Sequence, residues 1–289
     1  MKIVTHNGRF HTDDIFAVAT LLLVYPDAEV VRSRNEEVIK SGDIVVDVGF
    51  VYDPKAKRFD HHQPEGAGAR DIGVPYASFG LVWKKWGREI AGEGEALLID
   101  KKLVCPVDAH DNGISITENK LPEIREYTIS DFFYSYLDAD ETDEKILLEK
   151  FLKGVEVAQT LLKREIKIAQ EEVSDIKIVR DIFDKSEDKR IIILDKDLSW
   201  HQVLIPEPET SFVIYPRKEG VWGVKAVPKK LIGYELKKPF PQSWGGKAGS
   251  ELAKLTGVED AVFCHNKLFV CSAKTKEGAM ALAKIALNA

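Results

Sequence analysis

Soft ligands are scarce: the 289 residues include three cysteines, Cys105, Cys264 and Cys271, and two methionines. An odd number of cysteines without C-x-x-C spacing argues against a disulfide framework and a thiolate zinc site, and leaves the thiols as core residues. Cys105, beside Pro106, has no activating neighbour and reads as inert. Long apolar runs are missing too. Nothing approaches the roughly 18 residues of a membrane span, and the start MKIVTHNGRF offers one lysine and a polar strand rather than the apolar centre of a signal peptide. A cytoplasmic protein without membrane contacts is expected. Positive charge is not in excess: 41 Lys and Arg stand against 47 Asp and Glu, a net charge of -6. That balance argues against bulk capture of long nucleic acid, while local basic stretches can still steer a short phosphorylated substrate. Internal repeats and low-complexity segments are absent, and nothing in the composition argues against a homodimer.

What is present is apolar residue enough, 44%, to core one large or two ordinary domains. KIVT and EVVRSR read as strands around the helical DIFAVATLLLVY, and DIVVDVG is a short apolar run between Gly42 and Gly49. This is the opening of a parallel α/β sheet. Helices are expected over YASFGLVWKKWGREIA and EALLIDKKLV, the second stopped by Pro106. From Asp143 to Asp175 a proline-free, charge-rich stretch with apolar residues at helical spacing predicts a long amphipathic connecting helix. Beyond it, RIIILD, TSFVIYP and VWGVKAVP read as strands, KAGSELAKLTG as a helix closed by Gly257, AVFCHNKLFVC as a hairpin and KEGAMALAKIALN as a final helix. The expected fold is α/β in two domains: a parallel-sheet N-terminal domain over 1–142, a connecting helix over 143–180, and a smaller α/β domain with a mixed sheet over 181–289.

Chemistry concentrates in the first 113 residues. Five of the seven histidines, His6, His11, His61, His62 and His110, lie there, each within a few residues of an aspartate. In parallel α/β sheets the carboxyl ends of strands line the ligand crevice, so these segments converge in space. THNGRFHTDD follows the first strand and opens a helix; Thr12 or Asp13 can cap it, but His6, His11, Asp13 and Asp14 together exceed what a cap needs. Asp47 sits in the apolar run IVVDVG, where a buried carboxylate needs a compensating cation or loop N–H groups; bridging two metals would compensate it. In Asp60-His61-His62, adjacent side chains on opposite faces suit one ring ligating metal and the next donating to substrate, with Asp60 orienting a ring; a solvated turn is the bland alternative. VDAHDNG, at 107–113, is a metal segment or an Asx-type turn. Aspartate and histidine without cysteine suit Mn(II), with Mg, Co or Fe(II) as substitutes. Two such ions sharing a carboxylate hydrolyse phosphoesters.

In the C-terminal half, Ser243, Gly245, Gly246 and Lys247 precede a helix and form either a phosphate cradle or a plain turn. Lys225, Lys229, Lys230, Lys237 and Lys238 offer a basic wall, and Trp222, Phe240 and Trp244 offer stacking faces or core. His201 and His265 read as structural.

The motifs HNGRFHTDD, VVDVGFVYDP, RFDHHQ and VDAHDNGIS, in that order, resemble those of the Myg (melanocyte-proliferating-gene) family, a branch of the DHH phosphoesterases, and WGVKAVP, FPQSW and AVFCHNKLFV resemble its C-terminal region. The resemblance implies a dinuclear metal site in the first of two α/β domains, a cleft between them, and Mn-dependent 3'-to-5' exonuclease activity on short RNA or DNA; hydrolysis of small phosphoesters, or metal-stabilised binding without turnover, are the rival functions. It implies that His6 or His11 with Asp13 holds one metal, Asp14 approaches the second, Asp47 bridges, and His61 ligates. His62 would contact the scissile phosphate, and Asp108 or Asp111 would supply the last carboxylate. The chain departs from the wider superfamily in carrying adjacent Asp13-Asp14 in place of D-x-D. It also lacks an evident glycine-histidine substrate motif, for which Ser243–Lys247 and His265 are the candidates.

Overall fold

A computed structural model describes residues 1–118, 121 and 123–289, divided into two compact units, Met1–Gln170 and Glu171–Ala289. In the first, the β-branched runs form strands β1 (Lys2–Thr5), β2 (Glu29–Arg32) and β3 (Ile44–Val46), joined by the two-residue strands β4 (Tyr52–Asp53) and β5 (Arg58–Phe59). The order is β2-β1-β3-β5-β4. The first four are parallel, but β4 runs antiparallel to β5, so the sheet is mixed rather than parallel as expected. The reason is connection length: the turn 54–57, in which Asp53 Oδ1 accepts the N–H groups of Lys55 and Ala56 at 2.9 and 3.2 Å, is too short for a crossover.

Helix α1 (Thr12–Val24) crosses from β1 to β2, and the short α2 (Glu36–Lys40), capped by Asn35, leads to β3. Against α1 lies α3 (Ser78–Ala91), where Phe16 stacks on Phe79 with centroids 5.0 Å apart and Phe133 of α6 (Ile129–Tyr134) meets Phe16 edge-on. Pro106 does not stop the preceding helix. α4 (Glu93–Ile99) passes through a π turn, Asp100–Val104, into α5 (Cys105–Asp111). The wide turn, closed by Cys105 N–H to Asp100 O, changes the hydrogen-bond register just where Pro106 has no N–H to give.

The long helix, α7 (Glu144–Lys185), runs ten residues past the expected Asp175. Its Leu147, Phe151, Val155, Ala158 and Leu162 enter the first unit's core, and Val179 and Phe183 enter a core in the second. That unit has strands β6 (Ile191–Ile193), β7 (Phe212–Pro216), β8 (Trp222–Ala226), β9 (Ala261–Cys264) and β10 (Val270–Ala273) in the order β6-β7-β8-β10-β9, with only the β6–β7 pair parallel. Helices α8 (His201–Leu204), α9 (Gly249–Thr256) and α10 (Lys276–Asn288) belong to it. The hairpin at 265–269, the left-handed Gly257 after α9 and the buried Cys264 and Cys271 follow the sequence reading. No helix among the described residues is long and apolar enough to cross a membrane.

One buried contact locks α3 to α5. Asp108, fully buried, accepts the Gly80 N–H at 3.0 Å and an Arg70 Nη1 hydrogen bond at 2.7 Å. A Cβ at Gly80 would lie 1.8 Å from Asp108 Oδ2. Gly80→Ala is therefore expected to lower stability by about 1–3 kcal/mol, read as a lower urea midpoint with an unchanged slope; an unchanged midpoint would contradict the tight packing.

Candidate metal centre

Strands β1, β3 and β5 are neighbours, and each is followed at its carboxyl end by a polar residue: His6 after Thr5, Asp47 after Val46, Asp60 after Phe59. Adjacent parallel strands thus place these three side by side on one sheet edge. Asp47 adopts φ 57°, a left-handed conformation that turns its carboxylate back over the edge while its N–H donates to Phe59 O at 3.2 Å. From α1 come His11, Asp13 and Asp14, and from the end of α5 comes Asp111.

Asp47 is at the centre. Its Oδ2 lies 3.4 Å from His6 Nε2 and 3.5 Å from His11 Nε2; its Oδ1 lies 3.5 Å from His61 Nε2 and 3.5 Å from His62 Nδ1. His6 Nε2 is also 3.1 Å from Asp14 Oδ2, and His61 Nε2 is 3.1 Å from Asp111 Oδ2. Yet His6 Nε2, His61 Nε2, Asp14 Oδ2 and Asp47 Oδ2 are buried without a hydrogen-bond partner. The ring nitrogens and carboxylate oxygens lie 3.1–3.5 Å apart, within ion-pair distance, yet these atoms make no aligned hydrogen bond to one another. Two ligand atoms about 2.1 Å from one ion lie about 3.0–3.4 Å apart at cis angles, close to the spacings here. Three sets offer ligand atoms that all lie within 4.8 Å of one another: His6, His11 and Asp47; Asp47, His61 and His62; and Asp13, His61 and Asp111. Among the described residues no Lys or Arg pairs with Asp13, Asp14, Asp47 or Asp111, so this excess of carboxylate fits a divalent cation.

The electrostatics say the same. Burial favours neutral His6, but Asp14 and Asp47 outweigh it and raise the ring to about 10; likewise burial of His61 is outweighed by Asp111 and Asp47, raising it to about 11. Burial pushes the Asp47 carboxyl up, and the His6 and His61 rings more than reverse this, holding it far below the usual range. Burial, then the charges of Asp111 and Asp47, push Asp13 well above it. A cation in the cluster removes the need for protons on these rings and on Asp13.

The supporting contacts are specific. His6 Nδ1 faces Asn7 O at 3.1 Å, which puts the ring proton there and leaves Nε2 free to ligate. Asp13 accepts the N–H groups of Ser78 and Phe79 at 3.0 and 2.7 Å, capping α3 from 65 residues away because Ala77 has no side chain to do so. His61 and His62 do not point to opposite faces. β5 ends at Phe59, and in the irregular segment after it their ring centroids are 4.3 Å apart, both beside Asp47 Oδ1. Asp60 accepts from Phe50 N–H at 2.5 Å and contacts His62 Nδ1 at 2.8 Å, so it orients His62, which is half-exposed.

Of the two aspartates left open by sequence, Asp111 faces His11 and His61, whereas Asp108 is taken up by Arg70 and Gly80. His110 is exposed and outside the cluster. The C-terminal candidates make a different structure. The N–H groups of Gly245, Gly246 and Lys247 donate to the carbonyls of Gln242, Cys264 and Trp244, so the stretch from Ser243 to Lys247 is a closed turn rather than an open phosphate cradle. His265 Nδ1 accepts from Lys267 N–H within the β9–β10 turn, and Phe240 and Trp244 are core. The sequence reading missed Ser78, whose hydroxyl lies 3.3 Å from Asp47 Oδ1, and Glu144, which accepts from Asn7 Nδ2 and Gly8 N–H. Only the run ASFG, a small polar residue opening a helix, hinted at the first, and no local signal marks the second.

Residues 2–287 match the family described as Uncharacterised protein family (UPF0160), MYG1_exonuc. The MYG1 protein of Dictyostelium discoideum is 29% identical over 100% of this chain and 97% of its own. The MYG1 protein of Schizosaccharomyces pombe is 30% identical over 100% and 98%, and the MYG1 exonuclease of Homo sapiens 30% over 99% and 85%.

With His6 and His61 held protonated near neutrality, metal uptake must displace protons. Calorimetry of Mn(II) binding in buffers of different ionisation enthalpy is expected to show proton release, and affinity is expected to fall by about tenfold per displaced proton for each pH unit lowered between 8 and 6. Buffer-independent heats would contradict this.

Proposed function

The chain belongs to the uncharacterised protein family UPF0160, and from that and the site we propose that it is a divalent-metal-dependent phosphodiesterase, a 3'-to-5' exonuclease on short RNA. The observation that carries the reading is Asp47: one buried carboxylate with a pair of imidazoles set against each of its oxygens. Relatives named MYG1 exonuclease supply the nucleic-acid substrate class.

On this reading His6, His11 and Asp47 would hold one ion and Asp13, His61 and Asp111 the second, with Asp47 the carboxylate available to both and Asp14 beside His6. An aspartate and histidine set of this kind favours Mn(II), with Mg, Co or Fe(II) as substitutes. When bound, such an ion pair supplies Lewis acidity and an activated water for phosphoester hydrolysis. The protein's own groups do the rest. Asp60 fixes His62 through Nδ1 and shifts its pKa upward, which favours a protonated ring whose exposed edge would donate to a non-bridging phosphate oxygen. Asp13 ties the ligand cluster to the N-terminus of α3, and Ser78 holds Asp47. On this reading the first unit is the catalytic domain, of the DHH phosphoesterase kind.

Metal-stripped protein given a 5'-labelled oligoribonucleotide is expected to shorten it one nucleotide at a time only when Mn(II) is added. An intact oligonucleotide with metal bound would turn the reading to a small phosphoester. His62→Ala is expected to keep its metal and lose about a hundredfold or more in turnover, while Asp47→Asn loses metal. Equal metal loss in both would defeat the separate roles.

A further inference from the structure

The ten residues KKLIGYELKK, 229–238, follow β8 in the second unit and form a ribbon with a fixed base and a bare tip. At the base Lys229 N–H donates to Glu235 O at 2.7 Å, Lys237 N–H donates to Val227 O at 2.8 Å, Pro228 pairs with Leu236, and Leu236 packs on the unit's core. Lys237 Nζ ties the ribbon down further through the carbonyls of Leu204 and Glu207. At the tip the opposite holds: Leu231 is 62% exposed, Ile232 92% and Tyr234 100%. A protein that buries Phe240 and Trp244 a few residues on has no packing reason to hold a tyrosine entirely in water.

Charge identifies the partner. Four lysines stand against one glutamate in these ten residues, in a chain of net charge -6. The partner is therefore anionic and presents a flat apolar face beside its charge, as an unpaired base beside its phosphate does; in a duplex that face is stacked away. A lipid surface fits less well. Lys229 is paired with Glu235 and Lys237 is bound to carbonyls, which leaves Lys230 and Lys238 and three apolar side chains, a single weak membrane signal.

We propose that this ribbon is a contact for single-stranded nucleic acid, with Tyr234 stacking on an unpaired base and Lys230 and Lys238 facing the flanking phosphates. It deepens the nuclease reading and rests on it. The sequence nominated Trp222, Phe240 and Trp244 as stacking faces; the first is half-buried and the other two are core, whereas Tyr234 is fully presented to solvent.

The test is fluorescence anisotropy of the full chain with a labelled single-stranded oligoribonucleotide carrying hydrolysis-resistant phosphorothioate linkages. Tyr234→Ala is expected to weaken binding about tenfold and Tyr234→Trp to restore it. Thermal unfolding checks the fold and should not move, since the ring touches nothing. If Tyr234→Ala binds like the parent while the parent degrades single strands, the ribbon's role is overturned and the nuclease reading stands. If the parent neither binds nor degrades them, both fall. If Tyr234→Ala abolishes binding to phosphatidylserine vesicles and leaves oligonucleotide affinity unchanged, the ribbon is a lipid contact and the proposal is wrong.

Discussion

A carboxylate that is buried, charged and surrounded by imidazoles is the constraint on which the first unit is organised. Asp47 is 1% exposed, and both of its oxygens face two rings. An isolated anion in such a place costs several kcal/mol, so the position is stable only with positive charge beside it. A left-handed backbone at a non-glycine residue adds about 1–3 kcal/mol of strain. Strain and desolvation concentrated at one residue are in keeping with a bridging role for its carboxylate.

The scaffold around it shares charged contacts between helices. Asp13 caps α3 and joins the ligand cluster, so the packing of α1 on α3 sets the position of the site. Asp108 joins α3 to α5 through Gly80, with Arg70 also gripping Asp100 in the π turn. Burial pushes Asp108 up to about 7, against the pull of Arg70 and the Gly80 N–H. The loop from His6 to Gly8 is held by Glu144 at the start of α7 and by Arg32 Nη2 on Gly8 O, 2.8 Å away.

Much of this was legible in the sequence because the signals are local. A charge inside IVVDVG, a cap-like THNGRFHTDD and the run DHH are visible without a partner in view, and strand ends in α/β sheets bring them together. What depended on distant partners was not. Asp108 and Asp111 share a helix, and what separates them lies far off in sequence: Arg70 and the Gly80 N–H hold the first, while the second faces His11 and His61. The antiparallel β4 and the π turn at Pro106 arise from connection length and hydrogen-bond register, which apolar periodicity does not report. The relative placing of His61 and His62 failed for a similar reason: alternation holds in a strand, and the strand ends one residue before Asp60.

In the second unit the sequence reading erred the other way, giving chemistry to residues that fold into turns and core. Glycines before a helix and aromatics near lysines are common in both settings, and only burial separates Trp244 from Tyr234. The bridge at Asp47 remains the central claim. It is tested most directly by electron paramagnetic resonance of protein loaded with Mn(II). A carboxylate shared by two ions predicts an exchange-coupled spectrum as the second equivalent binds. Signals that stay magnetically isolated at full loading would contradict a shared Asp47.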